Sequence, residues 1–552
     1  MYTLITSYKS TLASKSSQVT TETLRKVAQG LCMVAKLENE YCKKLVDIYL
    51  PTIAQVLQKN CNITPNQICS MVFSPIQCVE QHSAELSPKP VVLSDRPTKL
   101  PIAKHSSNLP PIKILHITDI HYDPEYKQGV ESLEVAKRCK NTFGCCRTAP
   151  SAGATENYWG NYHFCDTPKH LLETTLKQIA AKHPDINLIY LTGDLLRHHI
   201  TEIDFETLKR DSSYVLDLFI STFRNVPILF AYGNHDTNVF GAFSSALVNT
   251  KDGGQANVYS FYQQWIKELW NNGKLIDNLK IPPKTEGYYT VKFTGKFRVI
   301  VLNSNIAYIY NWWMLVEHFY AAELQWLQNV LARAESRQER VHILSHIPPN
   351  HPTLLHGWSR EYQRIVERYS GTIVAQFNGH SHFDEFAMFY DSRDLSKPIS
   401  VAWNGGALTP HVYNNPNYHI ITLDPKNLGV SQLESYYLNL AEANENPRRD
   451  LNWKLLFNMT DTYGLENLSL ESLDRFVQCL AADESVSQQY WANKVKKSPR
   501  VKRPLTAECR AALICDIVTT DVRNSSKCEE LAGKYRSGWG SANVKLCPMD
   551  GM

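Results

Sequence analysis

Five apolar runs, spread over about half of this chain, each stop at a potential metal ligand. KILHIT hands over to Asp119-Ile120-His121, INLIYLT to Gly193-Asp194, and VPILFAY to Gly233-Asn234-His235-Asp236. RVHIL runs into Ser345-His346, and GTIVAQF into Asn378-Gly379-His380-Ser381-His382. Short runs rich in Ile, Val, Leu and Tyr that break at Gly or Asp read as buried strands giving way to loops. Five strand ends that all deliver oxygen and imidazole donors describe a metal site assembled at one edge of a sheet.

Aspartate and asparagine oxygens mixed with imidazole nitrogens suit zinc, iron or manganese better than calcium or a thiolate cluster. The donors are too many for one tetrahedral ion. If Asp194 bridges, they divide between two ions, and ions roughly 3.5–4 Å apart suit in-line displacement at phosphorus. Singly the segments are weak signals: Asp-x-His is common, Gly-Asp is usually a turn, and His-x-His is also two neighbours on one strand face. Jointly they are specific.

The joint pattern resembles the calcineurin-like metallophosphoesterase superfamily and, within it, the acid sphingomyelinase family. HITDIHYDPEY, CKNTFGCCR, YWGNYHFCD, LTGDLLRH, YGNHD, HILSHIPP and VAQFNGHSHFDEF carry the likeness, which runs from about residue 22 to about residue 530. The resemblance implies an α/β (α+β) fold, a two-sheet β-sandwich flanked by helices. It implies two Zn2+, one held by Asp119, His121, Asp194 and His382, the other by Asp194, Asn234, His346 and His380. It puts His198 and His235 beside the scissile phosphate. A di-zinc-bound hydroxide would attack phosphorus while one of these histidines, whose ordinary pKa lies near working pH, protonates the leaving alkoxide. Asp236 then orients His235 or caps its loop. The implied substrate is sphingomyelin, cleaved to ceramide and phosphocholine; the alternative is a nucleotide or another small phosphodiester.

Three positions bear on the head group. Asp166 matches an acidic position near the family's choline pocket, although DTPKHLLETTLKQIAAK equally reads as a capped helix with Pro168 in its first turn. Tyr310 stands where the family carries a glutamate, and His411 where it carries a tyrosine. Tyr310 can still face a quaternary ammonium with its ring, assisted by Trp312 or Trp313. His163 and His199 lack motif context and read as surface or structural residues.

A length of 552 residues allows two to four domains. The net charge of +4, with no Lys/Arg block interleaved with aromatics, gives nucleic acid no footing. No apolar stretch reaches the roughly 18 residues that a membrane span needs. Fourteen clustered cysteines point to an oxidising compartment. Sequons at Asn62, Asn458, Asn467 and Asn524 agree. The start, MYTLITSYKSTLASKSS, is not a secretory signal. A secreted or lysosomal monomer is expected, its N-terminus shortened by a truncated gene model or an alternative start.

Residues 1–20 are expected to be disordered. Residues 21–82 resemble a saposin-type domain without its first helix; such a unit lays amphipathic helices on a bilayer and would bring the site to lipid. The Pro- and Ser-rich residues 83–111 read as a semi-rigid linker. Residues 112–440 form the expected catalytic domain. Residues 441–552 form a helical, disulfide-bearing subdomain in which LNWKLLFNMTDTYGLENLSLESLDRFVQCLAA has helical spacing. The basic run Lys494 to Arg503 reads as a solvated linker or as a contact for anionic lipid. The resemblance pairs Cys32 with Cys42, Cys139 with Cys145, Cys146 with Cys165 and Cys515 with Cys528. Cys479 is expected to be a free core thiol.

Overall fold

The computed structural model describes residues 38–60, 90–95 and most of 110–532, with scattered positions between 22 and 67. Residues 129–145, 148–156, 249–253, 276–277, 283–285, 317–319, 412, 500–504 and 522–523 lie outside the described set. The pairing of Cys139 with Cys145, the sequon at Asn62 and the N-terminal 20 residues therefore fall outside it.

All five ligand-bearing runs are strands: β1 (Lys113–Ile117), β4 (Leu188–Leu191), β5 (Ile228–Phe230), β9 (Arg340–Leu344) and β10 (Ile373–Asn378). Nearly every residue in them is buried, as strands covered on both faces require. In the first sheet β1, β4 and β5 run parallel. An antiparallel meander of β13 (Asn417–Leu423), β14 (Val430–Leu438) and β15 (Trp453–Asn458) extends it, giving the order β15-β14-β13-β1-β4-β5. The second sheet adds β6 (Leu279–Lys280), β7 (Tyr289–Thr294), β8 (Phe297–Val301), β11 (Glu385–Asp391) and β12 (Asp394–Asn404). Its order is β11-β12-β10-β9-β8-β7-β6, with β8, β9, β10 and β12 parallel. A short parallel pair, β2 (Tyr122–Asp123) with β3 (Thr167–Pro168), closes over the end of β1.

Helices α2 (Lys169–Lys182) and α3 (Phe205–Thr222) make the crossovers of the first sheet. Helices α5 (Tyr320–Ser336) and α6 (His356–Arg368) make those of the second. Helix α1 (Asn39–Lys59) precedes the sandwich, α4 (Ala256–Asn271) lies between β5 and β6, and α7 (Leu470–Ala482), α8 (Glu484–Lys494) and α9 (Ala507–Val518) follow β15. The two sheets face each other through Tyr190 on β4, whose ring lies 5.1 Å from that of Phe377 on β10 and whose hydroxyl meets His342 on β9 at 2.9 Å. This is the two-sheet α/β architecture the motif series implies. Because the parallel strands of both sheets end at the same edge, their C-terminal loops converge there.

Several expectations need correction. WKLLFN is not helical but forms β15, so the first sheet continues past residue 440. The open edge of β14 and a berth for Trp453 against Tyr418, ring centroids 5.1 Å apart, outweigh the helical spacing. Within the expected semi-rigid linker, residues 90–95 are strapped to α6: Val91 N–H donates to Glu361 and Ser94 Oγ bonds Tyr369 Oη. Cys479 is free but exposed, on the outer side of α7. Asn458 is 5% exposed and its Oδ1 caps the turn after β15; Asn467 and Asn524 are exposed. The bridges Cys32–Cys42, Cys146–Cys165 and Cys515–Cys528 are present. Among the described residues no helix is long and apolar enough to cross a membrane.

Candidate metal centre

Asp119 and His121 follow β1, Asp194 follows β4, Asn234 follows β5, His346 follows β9, and His380 and His382 follow β10. Asp119, His121, Asp194, His380 and His382 all have left-handed backbones, with φ of 49°, 45°, 55°, 75° and 60°. Each such residue costs about 1–2 kcal/mol when it carries a Cβ. The strain at these five positions accompanies loops bent to aim donors inward. The loops also touch backbone to backbone: a Cβ on Gly233 would fall 2.1 Å from Asp194 N, and one on Gly193 2.4 Å from Gly233 N. Asp236 fastens the junction, accepting from the N–H groups of Gly233 at 2.7 Å, Asp194 at 2.9 Å and Leu195 at 2.8 Å. Of its two expected roles it takes loop capping. Burial, helped by neighbouring Asp194, pushes its carboxyl up to about 7.

The donor atoms form two sets. His121 Nε2 lies 3.2 Å from His382 Nε2 and 3.4 Å from Asp194 Oδ2, and His382 Nε2 lies 3.3 Å from Asp119 Oδ1. His346 Nε2 lies 3.2 Å from the same Asp194 Oδ2 and 3.0 Å from Asn234 Oδ1. A nitrogen of His380 is within 4.8 Å of the Asp194 and His346 donors. Tetrahedral donors bonded at about 2.0–2.1 Å stand about 3.3–3.4 Å apart, close to the spacings among His121, His382, Asp119 and Asp194 and between His346 and its two partners. All seven expected ligands converge, and Asp194 Oδ2 is common to both sets. The centre takes divalent metal ions.

Backbone carbonyls fix the ligand tautomers. His121 Nδ1–H donates to Leu196 O at 2.8 Å and His346 Nδ1–H to Thr192 O at 2.7 Å, leaving each Nε2 lone pair for an ion. Burial pushes Asp119 and Asp194 upward, but the surrounding imidazoles outweigh it and hold both carboxyls below the usual range. Burial opposes protonation of His346 as well, yet Asp194 and Asp119 push it up to about 9.

His198 lies against this centre, its ring stacked on His121 at 3.8 Å and edge-on to His235 at 4.7 Å. Asp166 does not cap α2, whose N-cap is Pro168 with no side-chain bond. Its two oxygens instead accept from His198, one from Nδ1 and one from the backbone N–H, both at 2.7 Å. Nε2 is therefore the ring's free nitrogen. His411 stacks on the other face of His198 at 3.7 Å and 9°, with its Nε2 unpartnered. His235 N–H donates to Asp194 Oδ1 at 2.8 Å, and its ring rests on Phe240 at 4.6 Å.

The remaining head-group candidates lie along one rim. Tyr310 is half-buried beside Tyr308, ring centroids 5.1 Å apart, and Tyr308 is 5.8 Å from His380. Trp312 is half-buried, whereas Trp313 is only 1% exposed within the core and cannot face a ligand. His163 bonds Tyr413 Oη at 3.1 Å and His199 lies 3.6 Å from Glu202, which fits their structural reading. Sequence reasoning missed His351, whose ring is 4.5 Å from His380 and whose Nδ1 meets Thr353 Oγ1 at 2.6 Å. Its only signal is proximity to Ser345-His346 in HIPPNHP.

Two strands of comparison bear on this centre. Residues 112–384 match the calcineurin-like phosphoesterase family, and the chain belongs to it. Residues 405–534 match the acid sphingomyelin phosphodiesterase C-terminal region, and within the wider class the chain is a member of the acid sphingomyelin phosphodiesterase family. It is 32% identical over 427 residues to a sphingomyelin phosphodiesterase of Bos taurus, covering 76% of this chain and 66% of that protein. The chain thus spans just under two thirds of that relative's length. It is 30% identical over 524 residues to sphingomyelin phosphodiesterase B of Dictyostelium discoideum, covering 90% of this chain and 76% of that protein. A cyclic GMP-AMP phosphodiesterase of Bos taurus is 26% identical over 445 residues, covering 78% and 93%.

Proposed function

We infer that this chain hydrolyses sphingomyelin to ceramide and phosphocholine as a zinc-dependent phosphodiesterase. The observation that carries the reading is the single carboxylate oxygen, Asp194 Oδ2, shared by two donor sets beside an Asp166–His198 pair. The relatives named sphingomyelin phosphodiesterase, at 30% and 32% identity, support the lipid over the cyclic dinucleotide, at 26%.

Asp119, His121, Asp194, Asn234, His346, His380 and His382 would hold two zinc ions, which would supply neutralising charge for the phosphate oxygens and an acidified water as nucleophile. The chain's own groups do the rest. His121 and His346, locked by carbonyls, hold their Nε2 atoms inward. Asp166 fixes the His198 ring by accepting from Nδ1–H, which leaves Nε2 to carry the proton that passes to the leaving ceramide oxygen. Burial, with His121, His235 and His382 nearby, pulls His198 well below its ordinary pKa, which makes it a willing donor once protonated. His235, 4.8 Å from His121, provides a second imidazole on the phosphate side.

Two further features suit a lipid. Helix α1 reaches the rim, where Tyr49 Oη–H donates to Phe240 O at 2.9 Å, and an amphipathic unit there fits a substrate presented by a bilayer. Tyr310 offers a ring face to a quaternary ammonium. The disulfides suit a secreted or lysosomal setting. The test compares sphingomyelin vesicles with nucleotide diesters at acid and neutral pH, with and without a chelator. Chelator-sensitive release of phosphocholine is expected; preferential cleavage of the nucleotide diester would overturn the substrate assignment.

A further inference from the structure

The basic run beginning at Lys494 is not a solvated linker at its start. Lys494 is 4% exposed and Lys496 0% exposed, although both follow or end a surface helix. A buried lysine is expensive unless its ammonium is held by partners, and these two are held by one feature, the loop that carries His380 and His382. Lys496 Nζ donates to His382 O at 2.6 Å. Lys494 Nζ pairs with Glu385 Oε2 at 2.6 Å, and Glu385 Oε1 accepts from Ser381 Oγ, between the two ligands, at 2.6 Å. Lys494 O accepts from Asp384 N–H at 3.0 Å. On the far side Asp516 of α9 lies 3.5 Å from Lys494 Nζ.

Backbone strain runs through the same contact. His380 and His382 are left-handed on the ligand side, and Lys496 and Lys497 are left-handed on the other, with φ of 51° and 52°. Asn415 Nδ2–H donates to Lys496 O at 2.9 Å and secures the second bend. Two bent segments, one from the catalytic sandwich and one from the segment after α8, are locked against each other by two lysine side chains.

We propose that Lys496, backed by Lys494, is a positioning residue of the metal centre: it holds the His382 loop in its strained bend and thereby sets the affinity of the ion shared by Asp119, His121 and His382. The C-terminal helices are then part of the metal site's support. The idea rests on the two-metal reading of the centre, and its test separates the two.

The experiment titrates the full chain with zinc against a competing chelator and counts bound zinc by elemental analysis. Wild type should take up two equivalents; if it does not, the metal-centre reading itself fails. Lys496→Met should weaken one equivalent by about 10–100-fold, the usual loss when a group supporting a ligand is removed, and leave the other unchanged. Lys527→Met is the control, because Lys527 is equally buried at 5% exposed and pairs with Glu530 at 2.8 Å, away from the centre. It should lower the melting temperature without changing zinc affinity. If Lys496→Met does not fold, Lys496→Leu, which likewise removes the donor to His382 O, carries the same readout. A folded Lys496 variant that binds both equivalents like wild type, or that behaves like Lys527→Met, would overturn the proposal.

Discussion

Replacing Asp166 by Asn isolates the proton-donating step. The carboxylate accepts two bonds from His198, at 2.7 Å each, and a weaker one from Thr409 Oγ1 at 3.2 Å. An asparagine keeps one acceptor oxygen, so the backbone bond or the ring bond survives but not both, and the negative charge disappears. A hydrogen bond to a charged group contributes about 1.5–3 kcal/mol, which here favours the imidazolium over the neutral ring. Losing it lowers the population of the donating form by about 10- to 150-fold, since about 1.4 kcal/mol is a factor of ten. Turnover of sphingomyelin should fall by that factor. Turnover of a nitrophenyl phosphodiester, whose leaving group departs without a proton, should fall far less. The assay measures kcat on both substrates beside the zinc content of the same preparation. Equal losses on both substrates at full zinc content would refute the role of the Asp166–His198 pair.

Two other outcomes follow from particular contacts. Gly233→Ala forces a Cβ to within 2.1 Å of Asp194 N, so the variant should bind less than two equivalents of zinc even where circular dichroism shows a native fold. Glu323 is fully buried and burial pushes its carboxyl from 4.5 up to about 8, with Glu286 adding to the effect. A raised folded-state pKa gives stability that is complete below the unfolded value and is lost as pH rises through the folded one. At about 1.4 kcal/mol per unit, a few kcal/mol should go between pH 5 and 8. The melting temperature of wild type should therefore fall over that range relative to Glu323→Gln; parallel curves would contradict the assignment.

The five ligand strands were legible because a parallel strand buried on both faces must be almost wholly apolar, and its end is announced by the polar residues of the loop. The seven converging side chains were legible for the same reason, together with their motif. β15 was not, because WKLLFN carries apolar residues at both helical and strand intervals, and only the open edge of β14 decides between them. Asp166 was visible as an acid at a helix start, but its partner lies 32 residues away and local pattern cannot show that bond. The burial of Lys494 and Lys496 was hidden more deeply, since a dense cationic run reads as solvated until the Glu385 and His382 loop is folded over it.

Anomalous diffraction from crystals of the full chain loaded with zinc addresses the centre itself. Two peaks are expected, about 3.5–4 Å apart, one on either side of Asp194 Oδ2, the first within bonding distance of His121 and His382 and the second of Asn234 and His346. A single peak, or a pair lying away from Asp194, would contradict the account.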